Sequence, residues 1–163
     1  MQTHLQIKTK DFMNKTEQQQ QVDKYFNEDQ TKSLLLYGPN GVGKTTSMKE
    51  YIPKMWNATA IQFAAKIASE GRKVIEKYGM HDMYIDDLGR ESIKVQNYTD
   101  TIEPLHDLLH FRYEVYQKTG YKTHISTNLD FKELEERYGV AISDRIKEMC
   151  GYIVEFKGDS LRK

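Results

Sequence analysis

The stretch Leu34–Met48, LLLYGPNGVGKTTSM, decides how the rest of this 163-residue chain is read. Leu34, Leu35, Leu36 and Tyr37 form a continuous apolar run, the pattern of a strand buried on both faces of a parallel sheet. Gly38-Pro39-Asn40-Gly41-Val42-Gly43-Lys44-Thr45 follows and satisfies every fixed position of G-x-x-x-x-G-K-[ST]. The glycines allow a tight turn whose backbone N–H groups point inward at phosphate oxygens. A helix opening near Gly43 adds the positive end of its dipole. Lys44 supplies a point charge for the β- and γ-phosphates, and the Thr45 hydroxyl is a ligand for Mg2+.

Composition sets the frame. Apolar residues make up 38% and charged residues 29%, ordinary for a globular protein. Lys+Arg and Asp+Glu both number 24, so no global basic field points to nucleic acid, and any such contact has to come from a local patch. The single cysteine, Cys150, excludes an internal disulfide and fits a reducing compartment; beside Met149 on a patterned helix it reads as a buried apolar residue. No apolar run approaches membrane-spanning length and the N-terminus lacks a signal-peptide core, so a soluble, cytoplasmic protein without a membrane partner is expected.

Along the chain, strands and helices alternate. Residues 12–29 are polar with sparse anchors at Phe12, Val22, Tyr25 and Phe26, a helix or partly ordered arm; residues 1–30 are expected to be a short N-terminal arm and 31–163 the core. Met48, Tyr51 and Ile52 repeat at helical spacing until Pro53. Thr59–Phe63 reads as a strand, and Ala64 to Tyr78 as one helix face ending near Gly79. Met83, Tyr84 and Ile85 form a strand that runs into Asp86-Asp87; residues 88–101 read as a polar loop. A helix from Leu105 stops at Gly120, Lys122–Ser126 is a strand leading into Thr127-Asn128, and Asp130 with Glu133 forms a capping box. A helix marked by Ile142, Ile146, Met149 and Cys150 and a strand at Tyr152–Phe156 complete the pattern. The expectation is a three-layer α/β P-loop NTPase fold with a central parallel five-stranded sheet and its ligand beyond the strand C-termini.

Two further features bear on which NTPase this is. Asp86 is placed to hold Mg2+, directly or through water, and Asp87 to orient and polarise an attacking water. Thr127-Asn128 ends a strand which, if it lies between the P-loop strand and the Asp86 strand, brings a polar side chain to the γ-phosphate or the lytic water. A guanine reader would be N-K-x-D; the nearest string, Thr127-Asn128-Leu129-Asp130, lacks the lysine, which favours ATP over GTP.

With these residues in place, "YIDDLGRE" (Tyr84–Glu91), "FRYEVYQKTGYKTHISTNLD" (Phe111–Asp130), "RYGVAISDRIKEMC" (Arg137–Cys150) and "FKGDSLR" (Phe156–Arg162) resemble the AAA+ core of DnaC-type helicase loaders and IstB-type transposition helper ATPases over about residues 30–163. The resemblance implies that Gly38, Pro39, Asn40, Gly41, Val42, Gly43, Lys44 and Thr45 are Walker A, extended by Thr46; that Asp86 and Asp87 are Walker B; and that Asn128, with or without Thr127, is sensor 1. It implies that Arg145 is an arginine finger acting on a neighbouring subunit, with Arg137 as a rival, and that Arg162 is the late arginine called sensor 2. From its own position alone, Arg145 reads better as a surface ion pair whose stem borders the Ile142–Ile146–Met149 stripe, and it is the resemblance that favours the finger. ATP with Mg2+, ATP-dependent self-association, and assembly on DNA or a replicative helicase follow from the resemblance. A transposition-helper-like switch that recruits a transposase or another partner is the alternative, and a small-molecule kinase fits less well. No helical lid domain follows Arg162 in this chain, so a more exposed nucleotide is expected.

Two other signals carry less. His106 and His110 lie one helical turn apart, but Asp107 stands where a zinc helix has glutamate and no third ligand is evident, so they read as surface histidines. Lys66, Arg72, Lys73 and Lys77 line one helix side where related initiators contact single-stranded DNA; Glu70 and Glu76 dilute the patch, and a solvated face explains it equally well.

Overall fold

The computed structural model describes residues 15–28 and 30–159, and the run at Leu34–Tyr37 is strand β1. In chain order the elements are α1 (Glu17–Glu28), β1, α2 (Lys44–Met48), β2 (Trp56–Thr59), α3 (Ala60–Glu70), β3 (Met83–Leu88), β4 (Val95–Asn97), β5 (Asp100–Ile102), α4 (Pro104–Thr119), β6 (Thr123–Thr127), α5 (Phe131–Tyr138), α6 (Val140–Met149) and β7 (Tyr152–Glu155), with 3-10 segments at Ile52–Lys54 and Arg72–Gly79. Five strands form one parallel sheet in the order β2-β3-β6-β1-β7. β6 therefore lies between β1 and β3, the condition set above for Asn128, and all three strands deliver their C-terminal ends to the same edge of the sheet.

Strand alternation divides the core into two faces. Leu35, Met83, Ile85 and Ile125 face α3, the second 3-10 segment, α4, α5 and α6, which bury Phe63, Ile67, Val74, Leu108, Leu134, Ile142 and Ile146. Leu34, Leu36, Tyr84 and Val154 face the other way, where Val22 and Tyr25 of α1 and Met48 of α2 cover them. Helices on both faces give the three-layer α/β architecture. On the second face α1 is tied in by specific contacts: Tyr25 donates its hydroxyl proton to the Lys32 carbonyl (2.5 Å), Phe26 stacks on Tyr51 at 3.8 Å between centroids, and Tyr51 donates to Asp23 Oδ1 (2.6 Å). Within residues 12–29, Phe12 lies outside the described residues, while Val22, Tyr25 and Phe26 are helix anchors.

Three local readings shift. The strand expected at Thr59–Phe63 ends at Thr59, which instead caps α3: its hydroxyl accepts from the Gln62 N–H (3.1 Å) and the Gln62 side chain accepts from the Thr59 N–H (2.9 Å). The single helix expected over Ala64–Tyr78 breaks at Gly71, whose φ of 78° leaves the helical region; a Cβ there would press on Asn97, which donates to the Ala68 carbonyl (2.7 Å). The polar loop at 88–101 contains the β4–β5 hairpin, with Val95 paired to Ile102 and Tyr98 exposed at its turn. The capping box of Asp130 with Glu133 is present at α5, and Cys150 is fully buried, its thiol pushed up to about 12 by burial.

Candidate nucleotide site

At the C-terminal edge of β1 the chain turns through Gly38–Gly43. Gly38 has φ 143°, and a Cβ there would overlap the Phe156 carbonyl beyond β7, so only glycine fits this bend. The loop closes on its own lysine: Lys44 Nζ donates to the carbonyls of Gly38 (2.6 Å) and Pro39 (2.7 Å). The same ammonium donates to Asn128 Oδ1 (3.0 Å), so the end of β6 is joined to the loop. Val42 turns its side chain into the second core face. Asn40, Gly41, Gly43, Lys44, Thr45, Thr46 and Asp87 line one cleft, joined by Gln19 of α1.

The acidic end of β3 meets this loop. Thr45 donates its hydroxyl proton to Asp86, with 2.9 and 3.1 Å to the two carboxylate oxygens. Tyr84, two residues earlier on the same face of β3, also donates to Asp86 Oδ1 (2.8 Å), and Ser126 of β6 donates to the same oxygen. Burial first, and then the Asp86 charge, hold the Tyr84 phenol well above its ordinary pKa, so it remains a donor. Asp87 stands at a register shift in the β3–β6 pairing, in the left-handed region (φ 55°), with its N–H donated to Ser126 Oγ (2.9 Å). Ser126 thus couples the two acids, receiving from the backbone of one and donating to the carboxylate of the other. Neither Tyr84 nor Ser126 was singled out in the sequence; strand period two from Asp86 and the position just before Thr127 were the signals available.

A hydroxyl and a carboxylate within 3.1 Å of each other are hard oxygen ligands of the kind Mg2+ takes, and Mg2+ fills its remaining positions with phosphate oxygens and water rather than an all-protein cage. Among the described residues no cluster of three or more His, Cys, Asp or Glu side chains could hold a metal ion.

The structure brings Lys44, Thr45, Thr46, Asp86, Asp87 and Asn128 to one place. Thr127 is fully buried and donates to the Leu88 carbonyl (2.7 Å), away from the cleft. Arg145 lies elsewhere: its guanidinium covers the Tyr113 ring at 5.3 Å and contacts His110 Nδ1, both on α4. Arg137 turns inward to Glu91, which is 5% exposed, also accepts from Tyr138, and takes the Gly89 N–H (2.9 Å). That cluster pins the turn after β3 to α5. Arg162 lies outside the described residues. His106 and His110 are half-exposed on α4 beside Asp107 and Glu114, and Lys66, Lys77 and Arg72 pair with Glu70 and Asp107. No helix among the described residues is long and apolar enough to cross a membrane.

No protein-family model and no curated protein matches the chain. Solved structures do. The chain is similar to DnaI, with 17% identity, a TM-score of 0.61, and coverage of 88% of this chain and 81% of that one. It is similar to a candidate primosome component from Streptococcus pyogenes serotype M3 at 17% identity and TM-score 0.60 over 88% and 80% of the two chains. The replication initiator DnaA, solved with AMPPCP and single-stranded DNA, matches at 15% identity and TM-score 0.62 over 86% of this chain and 45% of its own. At such identities the likeness speaks to architecture, and it agrees with the strand order and the loop geometry: the chain has the α/β fold found in DnaI and DnaA.

Proposed function

We propose that the protein binds ATP with Mg2+ and hydrolyses it slowly, coupling nucleotide state to assembly with other copies of itself on DNA or on a replicative helicase. The observation that carries this reading is the convergence of Lys44, the Thr45–Asp86 pair, Asp87 and Asn128 from three neighbouring strands onto one glycine loop. In this reading the loop amides and Lys44 hold the β- and γ-phosphates, and Thr45 and Asp86 hold the metal, which supplies charge neutralisation when bound. Asp87 orients water at the terminal phosphate, and Asn128 holds Lys44 and reports on that phosphate. Arg145 serves a neighbouring subunit's site; such fingers contribute about 10³–10⁵ in rate. Arg162 acts as the late arginine. That DnaI and DnaA share the fold supports a place in DNA replication, and the AMPPCP and single-stranded DNA bound to DnaA support these ligand classes.

One observation favours a second reading. Arg145 is engaged within its own chain by Tyr113 and His110, which suits a transposition-helper-like switch in which ATP binding recruits a partner and turnover is incidental. ATPase rates measured alone, with single-stranded DNA and with a hexameric helicase separate the two. Stimulation that Arg145→Ala abolishes supports the loader reading; ATP binding without stimulation by either partner supports the switch.

A further inference from the structure

We propose that Arg90 is a specificity residue that grips the terminal phosphate in cis and so distinguishes ATP from ADP; this rests on the ATP reading above. Arg90 follows Asp87 in the turn that closes β3, its N–H donated to the Asp87 carbonyl (3.2 Å). Its guanidinium donates to Asn40 Oδ1 (2.5 Å) in the phosphate loop. Asn40 and Asp87 both line the cleft, so Arg90, bonded through its backbone to one and through its guanidinium to the other, joins two of the residues that line it. Asn40 is its only hydrogen-bond partner among the described residues, and it forms no salt bridge there. An arginine has five donors in a planar fork that matches phosphate oxygens two at a time, so a side chain tethered through one nitrogen keeps donors for a second acceptor. The rim beside Asp87 is where the last phosphate of a triphosphate would lie; a diphosphate ends short of it. The residue is therefore placed to add a charge-assisted contact that only the triphosphate can make, without a neighbouring subunit. Arg145, on α6 with its guanidinium against Tyr113 of α4, is in no such position.

The test is the affinity of the wild type, Arg90→Ala, Arg90→Lys and Asn40→Ala for MgATP and MgADP, measured by calorimetry on the full chain, with thermal melting to confirm that each variant is folded. One charge-assisted phosphate contact corresponds to roughly a tenfold to hundredfold change in affinity. Arg90→Ala is expected to weaken MgATP at least about tenfold and leave MgADP within about twofold, with Arg90→Lys recovering part of the loss and Asn40→Ala losing less than Arg90→Ala. Equal losses for both nucleotides would show that Arg90 only braces the loop, and no loss for either would show that it does not touch the nucleotide; both outcomes overturn the inference while leaving the ATP site standing. Failure of the wild type to bind either nucleotide would overturn the ATP reading itself.

Discussion

Lowering the pH from 7.5 to 5 is expected to destabilise the protein largely through His124. This side chain is 1% exposed, points from β6 toward α1, and lies against the rings of Tyr25 (5.7 Å) and Phe26 (5.5 Å). Its Nδ1 accepts the N–H of Leu34 at the start of β1 (3.1 Å), so the neutral tautomer joins two central strands. Burial pushes the imidazole down to about 4; Lys122 and Arg112 add to this and Asp82 opposes it. In the unfolded chain the same group titrates near its ordinary value of about 6.5. Between the two values the unfolded state takes up a proton that the folded state refuses, so stability is complete above pH ~6.5 and is lost as the pH falls toward 4. The gap corresponds to about 3 kcal/mol in full and about 2 kcal/mol by pH 5, a large share of the 5–15 kcal/mol typical of a domain. Urea unfolding followed by circular dichroism at pH 7.5, 6.5, 5.5 and 5.0 measures it. His124→Asn keeps an acceptor near Leu34 but does not titrate, and is expected to flatten most of the slope. A wild-type stability that does not change between pH 7.5 and 5, or an equal slope in His124→Asn, would refute the reasoning.

Three structural substitutions test other parts of the account. Gly38→Ala drives a Cβ into the Phe156 carbonyl at a positive φ and is expected to cost about 3 kcal/mol or more, read by thermal melting. Arg112, fully buried with its pKa lowered to about 10 by burial, donates to Thr123 Oγ1 (2.8 Å) and to the carbonyls of Tyr78 (2.5 Å) and Lys122 (2.7 Å); Arg112→Ala is expected to cost about 3 kcal/mol in urea unfolding, and Arg112→Lys should rescue little because an ammonium cannot span the three acceptors. Asp23→Ala removes the acceptor shared by Tyr51 and Lys15 (2.8 Å) and is expected to cost about 1–2 kcal/mol while opening α1 to limited proteolysis before the rest of the domain.

The parts of the fold and site that were legible in the sequence are those where chemistry and local order coincide. The apolar β1 run, the glycine loop and the Asp86-Asp87 strand end carry their own patterns, and Asp130-x-x-Glu133 announces α5. β2 was displaced because Trp56-Asn57-Ala58-Thr59 is an edge strand with no apolar run, while the Thr59-x-x-Gln62 cap that fixes its end was read as strand. The break at Gly71 depends on Asn97 arriving from the hairpin, and the hairpin has no Asn-Gly or Asp-Gly turn to announce it, since Tyr98 itself takes φ 55°. Site neighbours such as Ser126, Tyr84 and Arg90 acquire their places only once β6 lies beside β3 and the turn after β3 crosses the loop. Periodicity alone likewise cannot tell that Arg137 folds back on buried Glu91 or that Arg145 rests on Tyr113.

The central claim is that the Gly38–Thr45 loop, closed by Lys44 and faced by Asp86, holds a magnesium triphosphate. Calorimetric titration of MgATP into the wild type and Lys44→Ala tests it most directly. The account predicts saturable one-site binding that needs Mg2+ and falls at least about tenfold in the variant, from loss of a charge-assisted contact to phosphate. Equal affinity in the two proteins, or no ATP binding by the folded wild type, would contradict it.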